Sequence, residues 1–207
     1  MRYPDIRRLG RVTLGALLLW QAVPCLADTA PRAAMAIEKA KILEQRIVNE
    51  DKIVPAPVAT RLTPEGTRAV DPDGTAPLDD AISCLARSIY WETKGTDQRE
   101  MESVANVIMN RLGDAHFPTT LCGVVQQGSE TGRCQFSWWC DGRPDDADEP
   151  DQYAKALDVA RRALNGTLPD RTGGALFFHH RTIDPGWFSE LIMTVETPEF
   201  LFYRLPG

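Results

Sequence analysis

Residues 82–95 read ISCLARSIYWETKG. With Leu78 before them, Ile82, Leu85 and Ile89 step by four, three and four, which is the buried stripe of an amphipathic helix. The next step of three lands on Glu92. The pattern predicts a helix to about Lys94, with Gly95 as its C-cap. If the stripe continues through Glu92, the carboxyl is desolvated and also lies in the last helical turn, where the dipole disfavours negative charge. Both effects raise its pKa. A proton held near neutral pH is what a general acid needs. If the helix ends early, Glu92 points to water and has no such role. Periodicity alone leaves both readings open.

The surrounding pattern is a helix-rich α+β domain over residues 78–207. A second helix is expected over 99–112, with Met101, Val104, Ala105 and Ile108 on one face. A short helix follows near 121–127, then loop and short strand over 128–142. A further helix covers 150–165, striped by Tyr153, Leu157, Ala160 and Leu164 and closed by Asn165-Gly166. Strands are expected at 175–180 and 200–204. Upstream, 31–50 is rich in helix formers and reads as a helical stalk. Residues 51–77 carry Pro55, Pro57, Pro64, Pro72 and Pro77 and read as a linker. On this reading residues 28–77 are dispensable for folding.

The first 27 residues look like an export signal. Arg2, Arg7, Arg8 and Arg11 precede an apolar run from Val12 to Val23, and Cys25-Leu26-Ala27 resembles a cleavage site. An uncleaved amino-terminal anchor, which would bring the protein to a membrane, is the other reading. The expected location is the periplasm or cell envelope. Cleavage after Ala27 removes four arginines and one aspartate, so the formal charge moves from −6 to −9. That charge, with no basic stripe in the body of the chain, argues against a nucleic-acid partner. Cys84, Cys122, Cys134 and Cys140 then remain. An even count in an exported protein predicts two disulfides, with three pairings open.

No cofactor or metal is expected. The cysteine spacing does not suit zinc, and His179 and His180, consecutive on a strand, face opposite ways. The acidic run DGRPDDADEPD at 141–151 matches no calcium-loop spacing and reads as a solvated loop. Aromatic and amide groups that could hold a sugar cluster at CQFSWWCDG, 134–142: Gln135, Phe136, Ser137 and Trp138. Phe136 and Trp138 also suit a core. Asn110, beside Arg111 at the end of the second helix, either binds sugar or caps the helix. Tyr203 is a further pocket candidate.

CLARSIYWETKG at 84–95, SVANVIMNRL at 103–112, FPTTLCGVVQQ at 117–127 and CQFSWWCDG at 134–142, followed by GALFFHH at 174–180 and FYR at 202–204, resemble the SleB-type cell wall hydrolases. The resemblance implies a lysozyme-like fold and cleavage of peptidoglycan, as a lytic transglycosylase; separately, a monomer acting on glycan strands is expected. The family's catalytic glutamate, in a Glu-Ala-Arg-Gly-Glu motif, falls on Glu92. Three positions depart from the pattern. Thr96 stands at the motif's last glutamate, Glu100-Met101 at a usual Gly-Gln, and Phe200 at a usual histidine.

A glycosidase ordinarily needs a second carboxylate. Asp141 is the nearest candidate, but an aspartate before glycine reads as turn-forming. One acid suffices if the 6-hydroxyl of N-acetylmuramic acid attacks the sugar's own anomeric carbon. Two other functions fit the sequence. One is an amidase that cuts the peptide stem by zinc or by a cysteine thiolate. The other is a peptidoglycan-binding module that has lost activity.

Overall fold

The computed structural model describes residues 29–50, 53–183 and 185–206. The export segment expected at 1–27 lies outside the described residues. In chain order the described elements are α1 (Thr29–Asn49), α2 (Pro64–Val70), α3 (Ala81–Glu92), α4 (Gln98–Leu112), α5 (Leu121–Gln126), α6 (Pro150–Leu164), β1 (Phe177–His180), β2 (Ile192–Glu196) and β3 (Phe200–Arg204). Helices dominate and the strands form one small antiparallel sheet in the order β1-β3-β2. This is the expected helix-rich α+β class.

The Asp80 side chain starts α3 by accepting from the amides of Ile82 at 2.8 Å and Ser83 at 3.1 Å. The helix stops at Glu92, two residues short of the expected end, and Gly95 takes φ +84° just beyond it. Residues 81–90 are all buried, so α3 is the central rod of the domain and not a surface helix with one wet face. Several of its buried polar groups have partners, although Ser88 Oγ and Arg87 Nε have none among the described residues. Arg87 pairs with Asp71 at 2.9 Å, and Tyr153 of α6 donates to the same Asp71 carboxylate. Asp71 also accepts from the Thr75 and Ala76 amides.

The stretch read as a stalk and linker, 28–77, therefore has another role. On α1, Ala36, Ala40, Leu43 and Ile47 are buried in the main core. Glu44 of α1 accepts from the Leu121 amide at the start of α5. The proline-rich segment is tied down as well: the Asn165 side chain exchanges hydrogen bonds of 2.9 and 3.0 Å with the backbone of Leu62. Prolines here set an extended path across a surface; they do not free the chain from it.

Downstream the elements fall close to expectation, with two differences. Residues 128–142 form short 3-10 turns at 129–131 and 137–140 and no strand. β2 is additional to the strands expected from sequence, because a register shift between Met193 and Val195 hides its alternation. Cys84 is bonded to Cys122, joining α3 to α5, and Cys134 to Cys140, closing the 134–140 turn. The first bridge spans 38 residues of chain, which in a chain-entropy account stabilises by about 3–4 kcal/mol. Replacing Cys84 and Cys122 together by serine is expected to lower the melting temperature by roughly 6–15 °C in calorimetry. An unchanged melting temperature would rule that contribution out.

Candidate active site

Glu92 ends α3 as the stripe predicts, on the core side and only half-buried. Burial pushes its carboxyl up to about 7, against a smaller opposing pull from the Arg111 charge. Neither a hydrogen bond nor a second carboxylate contributes to that shift. The helix end is held from one flank by the acidic 141–151 run. Trp91 Nε1 donates to the Asp145 carbonyl at 3.0 Å, Lys94 Nζ reaches Asp148 at 2.6 Å, and Tyr90 donates to the Asp148 carboxylate. The run expected to be a solvated loop thus docks on the end of α3 through the Asp145 carbonyl and the Asp148 carboxylate. Asp141 accepts from the Arg143 amide at 2.9 Å, the turn-forming role expected of it.

The charge that acts on Glu92 is that of Arg111, in the last turn of α4 and 3% exposed. Its Nε donates to the Leu176 carbonyl at 2.7 Å. Its guanidinium centre stands 5.3 Å from the rings of Phe117 and Phe136 and 5.7 Å from Phe177. These rings come from three separate segments: the α4–α5 loop, the disulfide-closed turn and β1. Burial lowers Arg111 to about 10, with Glu92 pulling the other way, so it stays charged at neutral pH.

The sheet extends this surface. Phe177 lies directly across from Tyr203, and His179 across from Leu201, so all four share one face of the β1–β3 pair. His179 stacks on Tyr203 at 5.3 Å with a 3.0 Å bond between Nε2 and the Tyr203 hydroxyl, and Phe188 packs edge-on at 4.8 Å from Tyr203. A cavity of about 410 Å³ opens there, lined by His179, Arg181, Phe188, Leu191 and Tyr203 among others. The other face carries Phe178, Phe200 and Phe202 and packs into the core.

The candidates from sequence divide. Tyr203 borders the cavity but is itself only 9% exposed, with His179 and Phe188 packed on its ring, while Gln135 and Ser137 are exposed. Phe136 is 1% exposed and Trp138 7%, so neither offers a free ring face to a sugar. Phe136 instead floors the Arg111 enclosure, and the half-buried Trp139 lies edge-on to Trp138. Asn110 is turned away from Arg111. Its amide donates to the Ala175 carbonyl at 3.1 Å and sits in a different groove, near Ile47 and Ile53. Phe136 and Trp138 sit in the core, and Asn110 neither faces this surface nor caps its helix, because its amide is spent on the 172–175 segment. Arg111, Phe117, Phe177 and His179 are additions from the structure. Arg111 had a signal: the stripe Met101, Val104, Ala105, Ile108 takes its next step of three onto it. His179 and His180 do diverge, His180 going to Glu199 at 3.1 Å. Among the described residues no three His, Cys, Asp or Glu side chains are grouped to hold a metal.

Spore cortex-lytic enzymes of Oceanobacillus iheyensis and Halalkalibacterium halodurans are 33% identical over 125 residues and 30% over 112. The matches cover 59% and 53% of this chain but only 40% and 30% of those proteins. Among solved structures, the catalytic domain of the germination-specific lytic transglycosylase SleB from Bacillus anthracis is 25% identical, with a TM-score of 0.49 over 63% of this chain and 98% of that domain. The SleB catalytic domain of Bacillus cereus is 23% identical, with a TM-score of 0.44 over 60% and 89%. The cell wall hydrolase family model matches residues 95–203, more than half of the chain, and the protein belongs to that family.

Proposed function

We propose that the protein is a peptidoglycan-cleaving lytic transglycosylase that works with a single general acid, Glu92, on glycan strands in the cell envelope. The observation that carries this is an unpaired, half-buried carboxyl raised to about 7 at the end of the central helix, beside an aromatic surface. The names of the SleB and spore cortex-lytic relatives support the substrate and reaction class.

In this mechanism Glu92 donates its proton to the oxygen between N-acetylmuramic acid and N-acetylglucosamine. The bond from the anomeric carbon to that oxygen breaks, and its electron pair stays on the leaving sugar. The muramyl 6-hydroxyl oxygen closes onto the anomeric carbon and its proton passes to the Glu92 carboxylate. The enzyme returns to its starting state and no water is consumed. Only one carboxyl is needed, consistent with the lack of any second acid acting on Glu92. Phe177, Tyr203 and His179 would line the strand, with Gln135 and Ser137 offering polar contacts at the rim.

Mass spectrometry of products from purified peptidoglycan tests the reading. The expected muropeptides carry 1,6-anhydro ends, about 18 mass units below hydrated ends because no water is added. Hydrated reducing ends would mean a hydrolase with a second carboxylate, free peptide stems would mean an amidase, and strand binding without products would mean a binding module.

A further inference from the structure

We infer that Arg111 is a positioning residue for this reaction: a buried cation, fixed in an aromatic enclosure, that acts on Glu92 and steadies the carboxylate each time it gives up its proton. The inference rests on Glu92 being the acid. It starts from a cation in an expensive place. Arg111 is 3% exposed, and its Nη1 is buried with no hydrogen-bond partner among the described residues. Three rings and one carbonyl offset part of the desolvation. A core that only needed volume there would be served better by leucine or methionine. Among the described residues, the charge that acts on Arg111 is Glu92, and the charge that acts on Glu92 is Arg111.

The other charged groups nearby are engaged elsewhere. Lys94, two residues on from Glu92, goes to Asp148 and Glu149. Arg87 goes to Asp71, and His179, on the sheet face, is joined to Tyr203.

Distance decides what such a cation can do. A contact ion pair would lower a carboxyl by roughly 1–3 pKa units and leave it ionised, useless as an acid at neutral pH. No cation at all would leave the carboxylate formed in the reaction with nothing to balance it. Arg111, tied to the Leu176 carbonyl and ringed by aromatics, forms no contact ion pair with Glu92 among the described residues and does neither. It leaves the resting proton in place and lowers the energy of the state in which that proton has moved to the glycosidic oxygen.

The test is the pH dependence of kcat on soluble glycan strands for wild type, Arg111→Met, Arg111→Gln and Arg111→Lys, each first shown to melt cooperatively. Methionine suits the aromatic enclosure and glutamine keeps donors, so the two neutral variants guard against misfolding in different ways. The alkaline limb, where Glu92 loses its proton, is expected to move up in either neutral variant, by less than the roughly 1–3 units a contact pair would give. At the optimum kcat is expected to fall about tenfold or more with KM little changed. Arg111→Lys should hold the limb at its wild-type position. A folded neutral variant with an unmoved limb, or a lysine variant that shifts as methionine does, overturns the inference. A further measurement needs no change at Arg111. The Arg111 Nε signal in ¹⁵N NMR of the wild type should titrate near neutral pH and stop doing so in Glu92→Gln; a signal flat in both overturns it too. Activity surviving Glu92→Gln would instead sink the general-acid reading itself. Lost activity there, with an unmoved limb in Arg111→Met, sinks only the role of the arginine.

Discussion

Glu92→Gln is expected to release roughly 10²–10⁴-fold fewer muropeptides than the wild type while binding glycan strands as before. Glutamine keeps the shape and a hydrogen-bond donor but has no proton to release. The same carboxyl sets a pH limit on the wild type. With a folded pKa near 7, the acid form is lost as pH rises through neutrality, and activity should fall with it. Stability carries the opposite mark of that design. The folded pKa of about 7 lies above the unfolded value near 4.5, so between them the folded protein holds a proton that the unfolded chain has released. Stability therefore declines as pH climbs through that window. Glu92→Gln removes the cost, and above pH 7 it should be more stable than wild type by about 1–3 kcal/mol, the full shift being discounted for partial exposure. At pH 4 the two should melt together. Thermal melts at pH 4 and pH 8 and product counts on the same samples check both halves. A Gln variant that is active, or that is no more stable at pH 8, would mean Glu92 is an ordinary surface carboxylate.

How far the site could be read from sequence depended on whether its parts lay on one element. Glu92 was legible because its own helix stripe leads onto it. The stripe of α4 leads onto Arg111 in the same way, so both charges end apolar faces that run into the core. Asn110, its neighbour in sequence, faces elsewhere because consecutive helical residues differ by about 100° in direction. The enclosure around Arg111 was not legible. It is assembled from Phe117, Phe136 and Phe177, which meet only in the folded chain. Nor was the role of the amino-terminal region. Ala36, Ala40, Leu43 and Ile47 do step by four, three and four, but alanines give a weak apolar signal in a window crowded with charge. The Asp71–Arg87 pair joins residues 16 apart across a proline-rich segment, and no local pattern announces it.

That pair makes the strongest test of where the folding unit begins. A truncation that keeps only 78–207 is expected to lose its cooperative thermal transition. It strips Leu43, Ile47 and Leu62 from the core, each worth roughly 1.5–3 kcal/mol of burial. It also removes Asp71 and leaves Arg87, 1% exposed, to the Asp145 carbonyl and the exposed Asp146 carboxylate at 3.8 Å; breaking such a buried pair costs about 3–5 kcal/mol. The Leu121 amide loses Glu44 as its acceptor as well. Together these losses reach the whole stability of a typical domain, about 5–15 kcal/mol. The single change Asp71→Asn isolates the ion-pair part: volume and backbone stay, the charge goes, and a loss of about 3–5 kcal/mol is expected. The pH dependence fixes the cause. Burial alone would raise the Asp71 carboxyl, but bonds from Tyr153, the Ala76 amide and Arg87 hold it below the usual range. Its contribution is therefore present above the unfolded aspartate pKa and is lost as pH falls through the lower folded value. The gap between wild type and Asp71→Asn should close on acidification and stay constant above about pH 5. A 78–207 fragment that melts as sharply as the full chain would return residues 28–77 to the role of a dispensable stalk.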